Sequence, residues 1–508
     1  MLKFVTLCLA MALTAACARA ETPPPTPVKI ESGLLQGVAT DAGTVAYKGV
    51  PYAAAPVGPL RWRPPQPMPA WTGVRSAVGF GPVCPQTPGL GVPAIAVQSE
   101  DCLFLNVWAP SPPARPAPVM VWIHGGGDDG GTATQPQFDG APFARDGIVF
   151  VSVDYRLGAL GWLAHPALTR ESGPGAPLAN YGLMDQIAAL KWVQRNIRAF
   201  GGDPNQVTVA GESSGGEAVL FLMTTPAAKG LFARAIVESG SGWADYSALP
   251  QAEAHGLALA KRAGALDTAD AAALRALPAS ALLAANTDGV GVSIDGRLVT
   301  TSAAAAFAAG RVAKVPLLIG SNSGEDSLLG RSDPKDVLKW LKPDEIAGLR
   351  TAYGAETPDD DALGRAIFRD QWMGAPARWF AAHQAARAPT FLYQFAYIPD
   401  ALRGRRKAAS HGFEMLFVFR ALALAPIPLA ASAIDEREMT LVHGCWVGFV
   451  IRGAPSCPGV AWPPYSPASD QLLLLGQDGA SEAHEFRKAE YDVLDRIEAK
   501  NLDAAAAR

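Results

Sequence analysis

Short apolar runs alternate with helical patterns along most of the chain. Six runs have the length and composition of buried strands: Val119–Ile123, Ile148–Val153, Val207–Ala210, Ala235–Val237, Pro316–Ile319 and Phe391–Tyr397. Apolar residues at helical spacing between 187 and 200 predict a helix that ends at the Gly-Gly-Asp-Pro of 201–204. Strands separated by helices predict the α/β fold class, with a mostly parallel central sheet covered by helices on both faces.

The rest of the chain predicts additions to this sheet rather than a second domain. Residues 244–312 and 330–388 are rich in alanine and predict helical insertions, and 482–498 predicts a C-terminal amphipathic helix. Apart from a Pro-rich segment at 21–28, no linker divides the chain. We therefore expect residues 29–505 to form one domain.

The first twenty residues have the anatomy of a secretory signal peptide. Lys3 supplies a positive charge, Phe4–Ala16 is apolar but too short to span a bilayer, and residues 18–20 fit a small-residue cleavage site. We expect residues 1–20 to be removed and the protein to be secreted or periplasmic. Lipid attachment at Cys17 is the less favoured alternative.

The composition excludes several classes of protein. The 508 residues carry 43 Lys and Arg against 47 Asp and Glu, with 49% apolar and 18% charged residues. Such a chain is too apolar to be disordered and lacks the basic surplus of a nucleic-acid-binding protein. After the signal segment, no uncharged apolar run reaches the length of a transmembrane helix. We expect a globular protein without a nucleic-acid partner; its oligomeric state is not predicted.

Four of the six cysteines follow the signal segment: Cys84, Cys102, Cys445 and Cys457. An even number in an exported protein predicts disulfides, and four cysteines allow three pairings. The pairing local in sequence joins Cys84 to Cys102 and Cys445 to Cys457. Buried free thiols are the alternative, above all for the second pair.

The main chemical signal is the G-x-S-x-G motif Gly211-Glu212-Ser213-Ser214-Gly215. A strand-like run leads into it, and a helical pattern begins at Gly216. A strand–turn–helix of this kind is sharp, so glycines are needed where the two elements pass each other. The turn exposes the hydroxyl of Ser213 at the carboxyl edge of the sheet, which makes this serine the candidate nucleophile.

A glycine-rich segment, His124-Gly125-Gly126-Gly127, follows an earlier strand. Its backbone amides are uncovered by side chains, so they can hold a carbonyl oxygen that becomes negatively charged. A tight turn is the alternative interpretation. The place after a strand and upstream of the serine motif favours the oxyanion hole.

A serine nucleophile also needs a base and an acid that orients it. His411 lies on a loop after the sixth strand-like run, where a general base is expected, whereas the other histidines have no such setting. Glu325 follows the fifth run and lies between Ser213 and His411 in the chain, as the acid should. The neighbouring Asp326 is the alternative acid.

These motifs and others in the same order resemble the type B carboxylesterase family, the cholinesterase-like branch of the α/β-hydrolase fold. The resemblance extends over nearly the whole chain after the signal segment. It implies an exported serine carboxylesterase that hydrolyses small-molecule esters through an acyl-enzyme intermediate, without a metal or organic cofactor. Its further segments are Tyr47–Ala53, Ser99–Val107, Asp154–Gly158, Asn180–Gln186, Phe200–Pro204, Glu238–Ser241, His411–Glu414 and Trp462–Tyr465.

The resemblance also implies a role for individual residues. These are Ser213, Glu325 and His411 for a catalytic triad; the amides of Gly126, Gly127 and Ser214 for the oxyanion hole; Glu212, Ser239 and Glu414 for a buried layer beneath the histidine; and Cys84 and Cys102 for a disulfide.

Two places depart from the family pattern. Asp128 and Asp129 stand where an aromatic residue usually follows the glycine loop, and Glu325 is flanked by Gly324 and Asp326 instead of an aspartate and a glycine. We expect the first departure to disfavour anionic acyl groups, because a nearby carboxylate opposes further negative charge. The alternative function is a catalytically silent, cholinesterase-like binding module. That branch typically loses triad members, whereas this chain has all three.

Overall fold

The computed structural model describes residues 25–40, 43–87, 97–111, 116–243, 246–425 and 429–506. The signal peptide expected at 1–20, the alternative lipid site at Cys17 and most of the Pro-rich segment lie outside these ranges. Across the described ranges, no helix combines the length and apolar character needed to cross a membrane.

Fourteen strands are present in the described part of the chain, and they form two sheets. They are β1 (Val28–Ile30), β2 (Gly33–Gln36), β3 (Val38–Ala39), β4 (Thr44–Pro51), β5 (Val74–Ser76), β6 (Phe104–Pro110), β7 (Ala117–Ile123), β8 (Val149–Val153), β9 (Gly202–Glu212), β10 (Arg234–Glu238), β11 (Leu317–Asn322), β12 (Thr390–Phe395), β13 (Gln471–Gly476) and β14 (Gly479–His484).

The larger sheet has a parallel centre with antiparallel margins. Its parallel strands run in the order β13-β12-β11-β10-β9-β7-β8. Antiparallel β14 adjoins β13, and β6, β4 and β3 continue the sheet beyond β8. The smaller sheet contains β1, β2 and β5. The predicted mostly parallel sheet is confirmed, and the six predicted strands overlap β7 to β12.

Fifteen α-helices accompany the strands in the described ranges. They are α1 (Ala141–Arg145), α2 (Gly158–Trp162), α3 (Pro166–Ser172), α4 (Tyr181–Asn196), α5 (Ser214–Thr224), α6 (Leu249–Arg262), α7 (Ala271–Arg275), α8 (Ala279–Ala285), α9 (Ala303–Ala308), α10 (Pro343–Tyr353), α11 (Asp360–Arg369), α12 (Ala375–Ala385), α13 (Met415–Val418), α14 (Ala433–Arg452) and α15 (Lys488–Ala506).

Two helices were predicted with residue ranges, and the structure agrees with one range better than with the other. The helix predicted between 187 and 200 is α4, followed by a 3-10 turn over Ile197–Phe200. The prediction of one helix over 482–498 was wrong at its start, because α15 begins only at Lys488. The residues before it form β14, which pairs with β13 across a tight hairpin, with Gly479 at a φ of 96°.

Alternate residues of the central strands belong to two separate hydrophobic cores. Along β7, Val119 and Val121 belong to one buried cluster, whereas Met120 and Trp122 belong to the other. Helices α4 and α5 contribute to the first cluster, and α14 contributes to the second. The sheet is therefore buried on both faces, which explains why its strands are apolar throughout.

Both disulfides join cysteines that are close in sequence. Cys84 is bonded to Cys102, as the family resemblance implies. Cys445 is bonded to Cys457, so the alternative of buried free thiols does not hold for this pair.

The order of the parallel strands creates a crevice in the middle of the sheet. From β7 the chain continues to β8 on one side, and β9 then lies on the other side of β7. The loops that leave β7 and β9 at their carboxyl ends therefore diverge. Such a switch in strand order is where open α/β sheets bind ligands.

A buried ion pair ties the loop after β8 to helix α4. Nε and Nη2 of Arg156 donate to the two carboxylate oxygens of Asp185 at 2.7 and 2.8 Å. Both side chains are almost fully buried. Glu31 and Arg195 form the same two-pronged pair at the surface, with side chains 43% and 49% exposed.

We expect Asp185→Asn to lower the free energy of unfolding by about 3–5 kcal/mol, because it leaves the Arg156 guanidinium buried without a counter-charge. Glu31→Gln is the matched control and should cost less than about 1 kcal/mol, since water replaces the lost pair. Urea unfolding followed by fluorescence measures both. Equal losses for the two variants would contradict this assignment.

Candidate active site

The serine motif forms a tight turn between β9 and α5. β9 ends at Glu212, α5 begins at Ser214, and Ser213 between them has a φ of 57°. A Cβ on Gly215 would lie 2.2 Å from the backbone oxygen of Ile123, and a Cβ on Gly211 would lie 2.4 Å from the oxygen of Gly215. The structure thus has the close approach expected from the sequence, although the helix begins two residues earlier than its pattern indicates.

The glycine loop leaves β7 beside this turn. Gly126 and Gly127 have φ values of 123° and 64°, and a Cβ on Gly126 would lie 2.1 Å from the oxygen of Gly130. Within the described residues, the amides of Gly126 and Gly127 donate no hydrogen bond, and neither does the amide of Ser214 at the start of α5. Three free amides therefore lie around Ser213.

His411 and Glu325 meet although they are far apart in the chain. Nδ1 of His411 lies 2.6 Å from Oε2 of Glu325, and the carboxylate is fully buried. The backbone amide of His411 donates to Oγ of Ser327 at 3.0 Å, which ties the histidine loop to the glutamate loop. The sequence alternative, Asp326, is 30% exposed and lies 3.8 Å from Arg365. Glu325, not Asp326, contacts the imidazole.

Nε2 of His411, the other imidazole nitrogen, faces Glu212, the residue before Ser213. Nε2 of His411 lies 3.1 Å from Oε1 of Glu212, and this nitrogen makes no hydrogen bond among the described residues. Ser213 and His411 line the same cavity, but no hydrogen bond joins them. The expected serine–histidine hydrogen bond is therefore not formed, whereas the histidine–glutamate contact is.

A buried polar layer supports Glu325 from below. The hydroxyl of Ser239 donates to Oε1 of Glu325 at 2.6 Å, and the amide of Asn322 donates to the same oxygen at 2.7 Å. The side-chain amide of Asn322 also donates to Glu414 and to the backbone oxygen of Ser410. Asn322 thus links Glu325 to Glu414, one member of the expected layer.

Several carboxyl groups are buried around this one imidazole. Burial raises the pKa of Glu212 to about 7 and that of Glu238 to about 8, and it raises the pKa of Glu414 well above 4.5. Burial opposes the charged form of His411, but the carboxylates of Glu212 and Glu325 outweigh it and raise its pKa above the usual 6.5. Glu238 is therefore mostly uncharged near neutral pH, and burial shifts Glu414 in the same direction.

Three of the other six histidines have structural environments. His124 is buried beneath the glycine loop and stacks on Tyr155, and burial lowers its pKa to about 4. His165 caps α3, and His443 bridges Asp146 and the backbone of Val418. None of these groups lines the cavity that contains Ser213.

The main cavity, which contains Ser213 and His411, has a volume of about 1020 Å³. Its walls are mostly apolar, and they come from the predicted insertion at 330–388, from the segment after the glycine loop and from the loops around the histidine. The apolar residues include Phe138, Val337, Trp340, Phe368, Trp372, Phe413 and Leu416. Such a cavity suits a mainly apolar ligand with one polar group to be held near the serine.

The two unusual acids after the glycine loop do not line the main cavity. Oδ1 of Asp129 accepts a hydrogen bond from Asn286 at 2.7 Å. Asp128 has a φ of 64°, its amide donates to Oγ of Ser214 at 3.3 Å, and its side chain lines a separate, smaller cavity. The expected effect on anionic acyl groups thus depends on whether a ligand reaches that second cavity.

Sequence reasoning missed three polar residues that complete the site. Asn322 joins Glu325 to Glu414, and it could have been found as the polar end of β11. The Trp446 side chain donates to Oε1 of Glu238 at 2.7 Å from α14, which lies more than two hundred residues away. Glu217, one turn into α5, lines both cavities. No local pattern marks the last two.

Comparisons with known proteins agree with this geometry. The Carboxylesterase family matches residues 24–494. The chain is 37% identical to the fumonisin B1 esterase of Sphingopyxis macrogoltabida, over 89% of this chain and 87% of that protein. It is 34% identical to the para-nitrobenzyl esterase of Bacillus subtilis, over 89% and 95%. A crystal structure of a Geobacillus stearothermophilus carboxylesterase superposes with a TM-score of 0.83 at 30% identity, covering 92% of this chain and all of the other.

We expect the imidazole of His411 to titrate above pH 6.5, and we expect Glu212→Gln to lower that midpoint. The substitution removes a carboxylate that favours the protonated ring. NMR titration of the ring Cε1 proton measures the midpoint directly. Asp333→Asn, which removes an acid elsewhere in the main cavity, is the control and should leave it unchanged. An unchanged midpoint in Glu212→Gln would show that the Glu212 carboxylate does not raise the pKa of His411.

Proposed function

As a member of the carboxylesterase family the chain is a carboxylic ester hydrolase, and we propose that it acts through a Ser213–His411–Glu325 triad and an acyl-enzyme intermediate. The observation that carries the proposal is the 2.6 Å contact between His411 and Glu325 in the cavity that contains Ser213. Glu325 accepts a hydrogen bond from Nδ1–H, which leaves Nε2 unprotonated and able to accept the serine proton.

The reaction proceeds in two halves. Ser213 attacks the ester carbonyl while Nε2 of His411 takes the hydroxyl proton. The carbonyl oxygen becomes negatively charged and is held by the amides of Gly126, Gly127 and Ser214. His411 then gives its proton to the departing alcohol. Water repeats the same steps on the acyl-enzyme and releases the acid.

The serine–histidine hydrogen bond forms in the substrate complex. Catalytic hydrogen bonds are often long or misaligned without substrate and tighten when it binds. In the free enzyme Nε2 of His411 faces Glu212 instead. Ser213 and His411 line the same cavity, so the bond forms when the Ser213 hydroxyl and Nε2 turn towards each other.

Glu212 and Glu325 raise the pKa of His411 to about 10, so the ionisation of Glu212 sets how far the imidazole can act as a base near neutral pH. A charged Glu212 favours the imidazolium, which cannot accept the serine proton, whereas its neutral form relieves that effect. Burial raises the pKa of Glu212 to about 7, so the neutral form is well populated near neutral pH. The same carboxylates stabilise the imidazolium that forms during the attack.

Export completes the proposal. A secretory signal at residues 1–20 and two disulfides in the body are both typical of proteins that reach an oxidising compartment. A binding module without catalysis is less favoured, since such a protein has no use for a histidine–glutamate contact beside three free amides.

We expect Ser213→Ala to lower kcat for a neutral para-nitrophenyl ester by roughly four to six orders of magnitude while the protein stays folded. A serine-reactive fluorophosphonate should label the wild-type protein on Ser213 and fail to label the variant. Intact-mass spectrometry and circular dichroism are the measurements. Equal labelling of both proteins would move the nucleophile elsewhere.

We expect Glu325→Gln to lower kcat about 10⁴-fold, because the amide cannot hold the Nδ1 proton and the ring adopts the wrong tautomer. Asp326→Asn is the matched control in the adjacent position, and we expect it to keep kcat within about threefold, as for a partly exposed charge without a contact to the ring. Steady-state rates on the same ester decide the matter. The reverse order of losses would assign the acid to Asp326.

A further inference from the structure

A second cavity lies beside the glycine loop. This side cavity has a volume of about 240 Å³, and its lining includes Asp128, Trp162, Glu217, Tyr246, His255 and Ser293. Glu217 lines both this cavity and the main one, so the two adjoin at its side chain. The proposed reaction uses none of these six residues.

The side cavity lies on the acyl side of the proposed reaction. His411 protonates the departing alcohol, so the alcohol portion of the ester lies towards His411. Asp128 follows the oxyanion loop directly, and Glu217 lies one turn along α5 from Ser214. An acyl chain directed away from the imidazole would meet the side cavity at Glu217, which lines both cavities.

The polar lining of the side cavity is acidic. The hydroxyl of Tyr246 donates to Oε1 of Glu217 at 2.5 Å, and Ser241 donates to the other oxygen at 3.4 Å. The Asp128 carboxylate lies against Gly291, where a Cβ would be 2.8 Å from Oδ2. No lysine or arginine is among the described residues that line this cavity. Its one histidine, His255, is 37% exposed and lies 3.6 Å from Asp288.

Two further features of the lining point to a ligand. Ser293 is only 3% exposed, and its hydroxyl has no hydrogen-bond partner among the described residues. The rings of Tyr246 and Trp162 also line the cavity. Aromatic faces combined with carboxylates are the surroundings that bind ammonium groups most favourably.

We propose that the side cavity binds a positively charged, ammonium-bearing acyl group of the ester substrate, with Asp128 and Glu217 as its counter-charges and Tyr246 and Trp162 as its walls. This inference rests on the proposed ester hydrolysis and names the substrate class that the same site selects. Asp128 and Glu217 are specificity-determining residues for the acyl portion.

The cation relieves an unfavourable arrangement of charge. Burial, with the nearby carboxylates of Glu217 and Asp129, raises the pKa of Asp128 well above 3.8, and burial raises that of Glu217. Ionised acids in such a place lack compensation, and an ammonium group supplies it. An anionic acyl group would add a third negative charge, so the cavity disfavours it.

The test compares three ethyl esters whose acyl chains have the same length. One chain ends in a trimethylammonium group, one in the isosteric but neutral tert-butyl group, and one in a carboxylate. We expect wild-type kcat/KM to favour the cationic over the neutral ester by about tenfold, equivalent to about 1.4 kcal/mol, and to rank the anionic ester last. Release of acid at constant pH gives the rates.

Variants assign the preference to the side cavity. Asp128→Asn and Glu217→Gln should each lower the cationic-to-neutral ratio several-fold. Asp333→Asn is the control, since its carboxylate lines the main cavity and not the side cavity, and it should keep the wild-type ratio. The ratio does not depend on how much protein is folded, because the neutral ester is the internal reference.

The outcomes separate the two proposals. If the wild-type protein hydrolyses the neutral ester but shows no preference for the cationic one, the side-cavity inference is wrong and the hydrolase proposal stands. A preference that survives both Asp128→Asn and Glu217→Gln also overturns the inference. If the wild type hydrolyses none of the three esters or the neutral para-nitrophenyl ester, the proposed function itself has failed.

Discussion

The site depends on how closely two strand ends approach each other. The end of β9 and the start of α5 pass within van der Waals contact of the end of β7, and only glycines at 211 and 215 leave room for that. The approach places Ser213 beside the free amides of the glycine loop. It also gives Ser213 a positive φ, which the surrounding packing maintains. Any Cβ at these glycines would separate the proposed nucleophile from the amides proposed to hold the oxyanion.

Beneath the tight turn at Ser213, several buried carboxyl groups surround the imidazole of His411. Four glutamates are buried there, and the contacts of Asn322, Ser239 and Trp446 distribute hydrogen bonds among them. Because burial favours the neutral forms of Glu212, Glu238 and Glu414, the layer contributes hydrogen bonds without accumulating the full negative charge. The orientation of His411 and its basicity therefore arise from the same set of contacts. On the far side of the oxyanion loop, a second group of buried acids faces a cavity instead of a histidine.

Local patterns predicted the frame of the protein well. The short length and continuous apolar character of the runs identified the six central strands, because a strand buried on both faces is apolar throughout. The G-x-S-x-G motif and the glycine run could be found because their backbone needs residues without a side chain. The placement of Glu325 and His411 after strand ends followed from a general rule, that parallel strands share one carboxyl edge. The C-terminal segment was less accurate, since residues Gly479–His484 pair with β13 only after the sheet has formed.

The sequence by itself determined the parallel sheet, the nucleophile's turn and a short set of candidates for base and acid, since these depend on local geometry and chain order. Only the tertiary structure decided between Glu325 and Asp326, because adjacent residues on a loop point in different directions and just one carboxylate reaches the imidazole. It also decided that Asp128 faces a second cavity shared with Glu217. That cavity is formed by segments distant in the chain, and no local pattern encodes how such segments pack against each other.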